Sequence, residues 1–241
     1  MSELPDITIL VPVWKRSEFL PLLIMNLKSQ NYPHEHLRLL IDDDTENSAS
    51  DSSERFIKNL QEIKTLLHPI KVQYITGKPR RSIGKKRNDL IKECKTKIFM
   101  FFDSDDVYLP TAVSHSYSVL KSNKFGCVGS DKMLFCMTDK DFSVHAIDCG
   151  NNKFLIHEGS IMGTVKWWRA SCRFSDGSRG EGANLFHGME HAVGITDISK
   201  IMICVQHSGN TIDKLQFAKE DNKLKIEISD ELKDVLKKIF N

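Results

Sequence analysis

Apolar positions along the chain fall into two alternating periods. Residues 7–13, ITILVPV, form a continuous apolar run rich in β-branched side chains, and after Ser17 the apolar residues Phe19, Leu20, Leu23, Ile24 and Leu27 recur at helical spacing. This pattern predicts a buried strand feeding an amphipathic helix. The unit repeats three times: 37–41 followed by a helix opening at Ser52 or Ser53 through Phe56, Ile57, Leu60, Ile63 and Leu67; 72–75 followed by 83–94; and 98–102 followed by 110–120. Four such alternations call for right-handed crossovers and a mostly parallel sheet covered on both faces. Beyond residue 125 the rhythm changes to strand-like pieces at 126–129, 133–137 and 144–147, a glycine-rich stretch over 159–194, and a further apolar run at 200–206. A last helix is predicted over 229–240, with Ser229 as its cap, Asp230 and Glu231 in the first turn, and Leu232, Val235, Leu236, Ile239 and Phe240 on one face. That face is expected to pack on the domain; peripheral membrane contact is the alternative use. The expected organisation is a single α/β domain: a Rossmann-like half over 1–125, a smaller mixed region over 126–222 built on it, and the last helix over 223–241.

Composition narrows the class without naming a function. A chain of 241 residues with 40% hydrophobic and 27% charged residues is globular, and long enough for a large core. Thirty-four Lys and Arg against 32 Asp and Glu leave a net charge of +2, so no global field holds a nucleic acid, and no nucleic-acid partner is expected. No apolar run reaches the roughly 18 residues of a membrane span. The acidic residues Glu3 and Asp6 at the start do not read as a signal peptide. Cys94, Cys127, Cys136, Cys149, Cys172 and Cys204 are irregularly spaced, so reduced, mostly buried thiols and a cytoplasmic location are expected.

The charges are sorted locally. In a doubly wound sheet ligands bind at the carboxyl ends of the strands, and two of those ends carry acids: Asp42-Asp43-Asp44 after 37–41, and Asp103-Ser104-Asp105-Asp106 after 98–102. Crowded carboxylates raise one another's pKa unless a cation or hydrogen-bond donors compensate, and hard oxygen ligands suit Mg²⁺ or Mn²⁺ bridging a diphosphate. Turn acids and helix caps are the plainer reading. Between the two clusters Lys78, Arg80, Arg81, Lys85, Lys86 and Arg87 lead into the third helix, where anion contact by Arg81 and Arg87 competes with a solvated helix face. The segment is no P-loop, since Pro79 stands where the first glycine belongs.

Pro12-Val13-Trp14-Lys15-Arg16, Ile41-Asp42-Asp43-Asp44-Thr45, Gly84-Lys85-Lys86-Arg87-Asn88 and Phe102-Asp103-Ser104-Asp105-Asp106, in that order, resemble the nucleotide-sugar-binding half of family 2 glycosyltransferases with the GT-A fold. The resemblance implies a nucleoside-diphosphate-sugar donor, most simply a UDP-sugar, and transfer to a glycan or other hydroxyl acceptor in glycan or polysaccharide synthesis. It places Asp43 on the base, Pro12 and Arg16 at the base pocket, Asp103 near the ribose or sugar, Val13 and Ser104 among the other nucleotide-sugar contacts, and Asp105 on Mn²⁺ or Mg²⁺. Asn88 would brace the site. Asp44 departs from the family pattern, which has glycine there. In the second half Gly180-Glu181-Gly182 resembles the family's Glu-Asp motif with glycine replacing the aspartate, so Glu181 becomes the candidate base, with Asp176 and Glu190 behind it. His207 in the run 205–211 resembles a third metal ligand, and Trp167 and Trp168 are candidates for stacking on an acceptor sugar.

Two other motifs compete. Asp103-Ser104-Asp105-Asp106-Val107 also fits the nucleophile motif of haloacid-dehalogenase-like phosphatases, and His187-Gly188-Met189-Glu190-His191 matches the inverted zinc-peptidase signature, which a helix-weakening Gly188 makes a chance match. A non-catalytic nucleotide-sugar-binding module is the third alternative.

Overall fold

In a computed structural model, which describes residues 4–46, 53–148, 155–207, 210, 223–224 and 226–240, the apolar run at 7–13 forms β1 (Ile7–Val13) with every side chain buried. The chain continues through α1 (Leu20–Lys28), β2 (Leu37–Asp43), α2 (Ser53–Leu66), β3 (Lys71–Ile75), α3 (Ile83–Glu93), β4 (Ile98–Phe101), β5 (Val107–Tyr108) and α4 (Ala112–Ser122). Strands β3, β2, β1 and β4 lie side by side in that order, all parallel. The central strand β1 is apolar throughout because both its faces are covered, whereas β3 at the sheet edge alternates exposed and half-buried residues. Ile7, Ile9, Val11 and Val13 join one apolar cluster and Leu10 the other, the period-two sorting of a strand between two helical layers.

The later elements are β6 (Cys127–Gly129), β7 (Lys132–Met137), β8 (Ser143–Asp148), β9 (Met162–Thr164), α5 (Val165–Ala170), β10 (Val193–Ile195), β11 (Met202–Gln206), β12 (Lys223–Leu224) and α6 (Asp230–Phe240). Among the described residues, β9 runs antiparallel between β4 and β6 and extends the first sheet to the order β10-β6-β9-β4-β1-β2-β3. A second sheet has the order β12-β8-β7-β11-β5. Residue 125 is therefore no boundary between sheets: β6, β9 and β10 complete the first, while β5 pairs antiparallel with β11 in the second.

Helix α6 lays Leu232 and Leu236 into the first cluster, and Ser229 Oγ accepts from Leu232 N at 3.3 Å at its start. No helix among the described residues is long and apolar enough to cross a membrane. Cys94, Cys127, Cys136, Cys172 and Cys204 carry free thiols; burial pushes the Cys136 thiol up to about 12, which keeps it an inert core group. Cys149 lies outside the described residues.

Candidate functional site

The chain steps outward from β1 to β2 and β3, then returns to place β4 on the other side of β1. The crevice that such a switch point opens at the carboxyl ends of β1 and β4 holds a cleft of about 370 Å³. Pro12, Trp14 and Arg16 reach it from the end of β1, and Asp103, Ser104, Asp105 and Asp106 from the end of β4. Arg80, Arg81 and Lys86 come from the start of α3, and His157, Glu158 and Glu181 from the second half of the chain.

Of the acids at 42–44, Asp42 and Asp44 are paired with cations within the protein. Arg81 Nη2 donates to Asp42 Oδ1 at 2.7 Å, Arg81 N to Asp44 Oδ2 at 2.7 Å, and Lys86 Nζ is paired with Asp44 and donates to the Val13 carbonyl at 2.7 Å. Asp43 accepts from the Tyr74 hydroxyl at 2.8 Å and from Thr45 N at 2.9 Å. Burial and the Asp43 carboxylate hold the Tyr74 phenol far above its ordinary range. Asp43, expected on the base, and Val13 are both buried, and neither is among the residues that line the cleft. Arg81, expected at an anion, is spread over Asp42, Asp44 and, at 3.0 Å, Asp89.

Arg87 organises the other side. Its Nη2 lies 3.0 Å from both Asp103 oxygens and its Nε donates to Glu181 Oε1 at 3.3 Å, while Nη1 is buried without a hydrogen-bond partner. Burial opposes the charge, but Asp103 and Glu181 more than offset it and hold the guanidinium protonated. Asp103, the nucleophile of the phosphatase alternative, thus has both oxygens engaged. Helix α3 comes this close to the 175–181 segment because residue 84 is glycine: a Cβ there would fall 2.0 Å from the Ser175 carbonyl. Asn88 fastens the same contact, donating to the Phe174 carbonyl at 2.8 Å and accepting from Trp168 Nε1 at 3.1 Å.

Asp105 Oδ2 receives Arg16 Nε at 3.3 Å and His207 Nε2 at 3.2 Å. Burial alone would raise its pKa, but the His207 hydrogen bond and the Arg16 charge hold the carboxyl down at about 2. Arg16, expected at the base pocket, is thereby placed at the candidate metal ligand. The His207 ring lies between Phe19, at 5.0 Å between centroids, and Phe240 of α6, at 5.4 Å. No group of three potential metal-ligating side chains occurs among the described residues. One carboxylate and one imidazole converging within hydrogen-bond distance nonetheless fit Mn²⁺ or Mg²⁺, ions that complete their shell with diphosphate oxygens and water.

Glu181 is buried on the cleft wall; Asp176 is exposed, bonded to the Ser82 hydroxyl at the start of α3 and away from the cleft lining. Glu190 accepts from Gly188 N at 3.0 Å in a turn where Gly188 has φ +73°, and only a short 3-10 turn begins at Glu190, so no α-helix carries His187 and His191 and the zinc-peptidase match has no structural basis. Trp167 and Trp168, expected to stack on an acceptor, are buried in the second apolar cluster, 5% and 3% exposed. Their large apolar area is used by α5 to close the core, so neither offers a ring face to the cleft.

Two cleft residues, Trp14 and Glu158, and one buried residue behind the cleft, Tyr108, carry no role in the sequence motifs. Trp14 carries the Arg80 guanidinium 3.5 Å above its ring, and its position directly after β1 was the available signal. Tyr108 hides in a two-residue strand; its hydroxyl accepts from Asp103 N at 2.8 Å and donates to the Gly159 carbonyl at 2.9 Å, fixing the acid-bearing turn. Glu158 has no motif around it. It is half-buried, accepts from Gly182 N at 3.2 Å, and burial together with the Glu181 charge pushes its pKa above the ordinary carboxylate range.

An α/β sheet with its cleft at this switch point and acids directly after β4 is the architecture of the GT-A glycosyltransferases. A sequence profile described as glycosyl transferase family 2 matches residues 8–146, more than half of the chain, and the chain belongs to that family. No curated protein sequence matches it. Similar solved structures include S. aureus TarS residues 1–349 in complex with UDP-GlcNAc, with 11% identity, TM-score 0.62, and coverage of 85% of this chain and 60% of that one. Another is the mannosyltransferase PcManGT from Pyrobaculum calidifontis in complex with GDP-Man and Mn²⁺, with 15% identity, TM-score 0.62, and coverage of 84% and 56%. The chain thus spans about 60% of the length of the TarS fragment it matches.

Proposed function

We propose that this protein is a metal-dependent inverting glycosyltransferase that moves a sugar from a nucleoside-diphosphate donor, a UDP-sugar foremost, to a hydroxyl acceptor in glycan or polysaccharide synthesis. The observation that carries this reading is Asp105 on the switch-point cleft with His207 converging on it from behind, and the carboxylates of Glu158 and Glu181 on the cleft wall. TarS with UDP-GlcNAc and PcManGT with GDP-Man and Mn²⁺ support it as relatives in fold. Asp105 and His207 would hold Mn²⁺ or Mg²⁺, which supplies positive charge to the leaving diphosphate. The guanidinium of Arg80, which lines the cleft over the Trp14 ring, is the chain's own contribution to anion binding. A carboxylate of the Glu158 and Glu181 pair takes the acceptor proton.

The test is a thermal-shift panel of UDP-glucose, UDP-galactose, UDP-GlcNAc and GDP-mannose with and without Mn²⁺, followed by release of nucleoside diphosphate. One donor should raise Tm in an Mn²⁺-dependent way and be turned over, and Asp105→Ala should abolish both the Mn²⁺ dependence and the turnover. Binding without release would identify a non-catalytic module, and a flat panel would overturn the reading.

A further inference from the structure

Inverting transfer needs a carboxylate for the acceptor's proton, and in the stretch that resembles the family's Glu-Asp motif the aspartate position is Gly182. That position is open in sequence but filled in space. A Cβ built on Gly182 would meet Glu158 Oε1 at 2.8 Å, Cγ at 3.0 Å and Cδ at 3.2 Å. Gly182 N donates to the same Oε1 at 3.2 Å and so fixes the carboxylate there. Glu158 reaches this point from the turn before β9, a different part of the chain from the Gly180-Glu181-Gly182 turn. Both Glu158 and Glu181 line the cleft, but the Glu181 oxygen that faces α3 is already engaged by Arg87 Nε at 3.3 Å.

We infer that Glu158 is the general base of the transfer, a carboxylate supplied from another segment to the place that glycine at 182 leaves vacant, and that Glu181 is a positioning residue for Arg87. The assignment rests on the transferase reading above. In the reaction Glu158 takes the proton of the acceptor hydroxyl as that oxygen forms its bond to the anomeric carbon. The bond from the anomeric carbon to the diphosphate oxygen breaks on the opposite face, its electron pair leaving with the nucleoside diphosphate. The proton on Glu158 then passes to solvent, which restores the carboxylate.

The exchange of positions supplies its own test. With the donor that the panel selects, Glu158→Gln should lower kcat by about 100-fold or more, the scale of a lost general base, while UDP binding in Mn²⁺ stays within about threefold of wild type. Gly182→Asp alone should lower Tm, because its Cβ has no room beside Glu158. In a Glu158→Ala background the same aspartate has space, and the double variant should regain at least about tenfold in kcat over Glu158→Ala. Glu158→Gln that keeps more than about a tenth of wild-type kcat overturns the assignment and leaves the transferase reading standing. If Glu158→Gln does not fold, the swap decides: recovery supports the assignment, and none overturns it. Wild-type protein that releases nucleotide from no donor overturns the transferase reading, and the base with it.

Discussion

Lys86 serves two acceptors at once, the Val13 carbonyl at the end of β1 and the Asp44 carboxylate, from a side chain only 5% exposed. Burial lowers its pKa, and the hydrogen bond and charge of Asp44 work against that. Removing one member leaves the fully buried Asp44 with only the Arg81 N–H and a guanidinium nitrogen at 3.7 Å. Lys86→Met should therefore cost about 3 kcal/mol in urea unfolding, the low end for breaking a buried pair because Arg81 remains. A loss below about 1 kcal/mol would show that Arg81 carries Asp44 alone. The acids at 42–44 and the cations at 78–87 were both legible as clusters in the sequence, but which carboxylate meets which cation depends on the β1 to β2 register, Val13 beside Asp43, and no spacing along the chain encodes that. Glu158 was invisible for the same reason: its partner, the Gly182 N–H, lies 24 residues further on.

At the scale of elements the strand and helix units of the first half were readable because each is long enough for a period to show. Strands β5 and β9 are two and three residues long, too short for any pattern, and they are the ones that knit the two halves into shared sheets. Helix α6 was readable from its apolar stripe, but its reach to the site was not. Its Phe240 ring packs against both His207 and Phe19, so the helix that closes the first cluster also backs the imidazole beside Asp105. Phe240→Ala should weaken Mn²⁺ binding about fivefold in an electron-paramagnetic-resonance titration, the equivalent of one aromatic contact near 1 kcal/mol, and leave UDP binding without metal unchanged. Unaltered Mn²⁺ affinity would confine α6 to a packing role.

For the whole molecule the net charge of +2 conceals groups that pull stability in opposite directions with pH. Hydrogen bonds from His36 and Arg38 hold Asp6 below its ordinary value of 3.8, and Asp105 is held at about 2. A carboxyl depressed in the folded state contributes stability above its unfolded pKa and loses it as pH falls through the folded one, so both favour the fold at neutral pH and give way below about pH 4. Glu158 has the reverse sign: with its pKa raised by burial and the Glu181 charge, against which Arg87 and the Gly182 N–H act, its contribution is complete below 4.5 and is lost as pH rises through the folded value. Ionising Glu158 is thus opposed by the fold, the usual condition of a group kept for chemistry. Glu158→Gln, a neutral isostere, should melt above wild type at pH 8 and together with wild type at pH 4. A variant that melts lower than wild type at pH 8 would mean that the carboxylate stabilises the turn through the Gly182 N–H, and a structural reason for Glu158 would then replace the catalytic one.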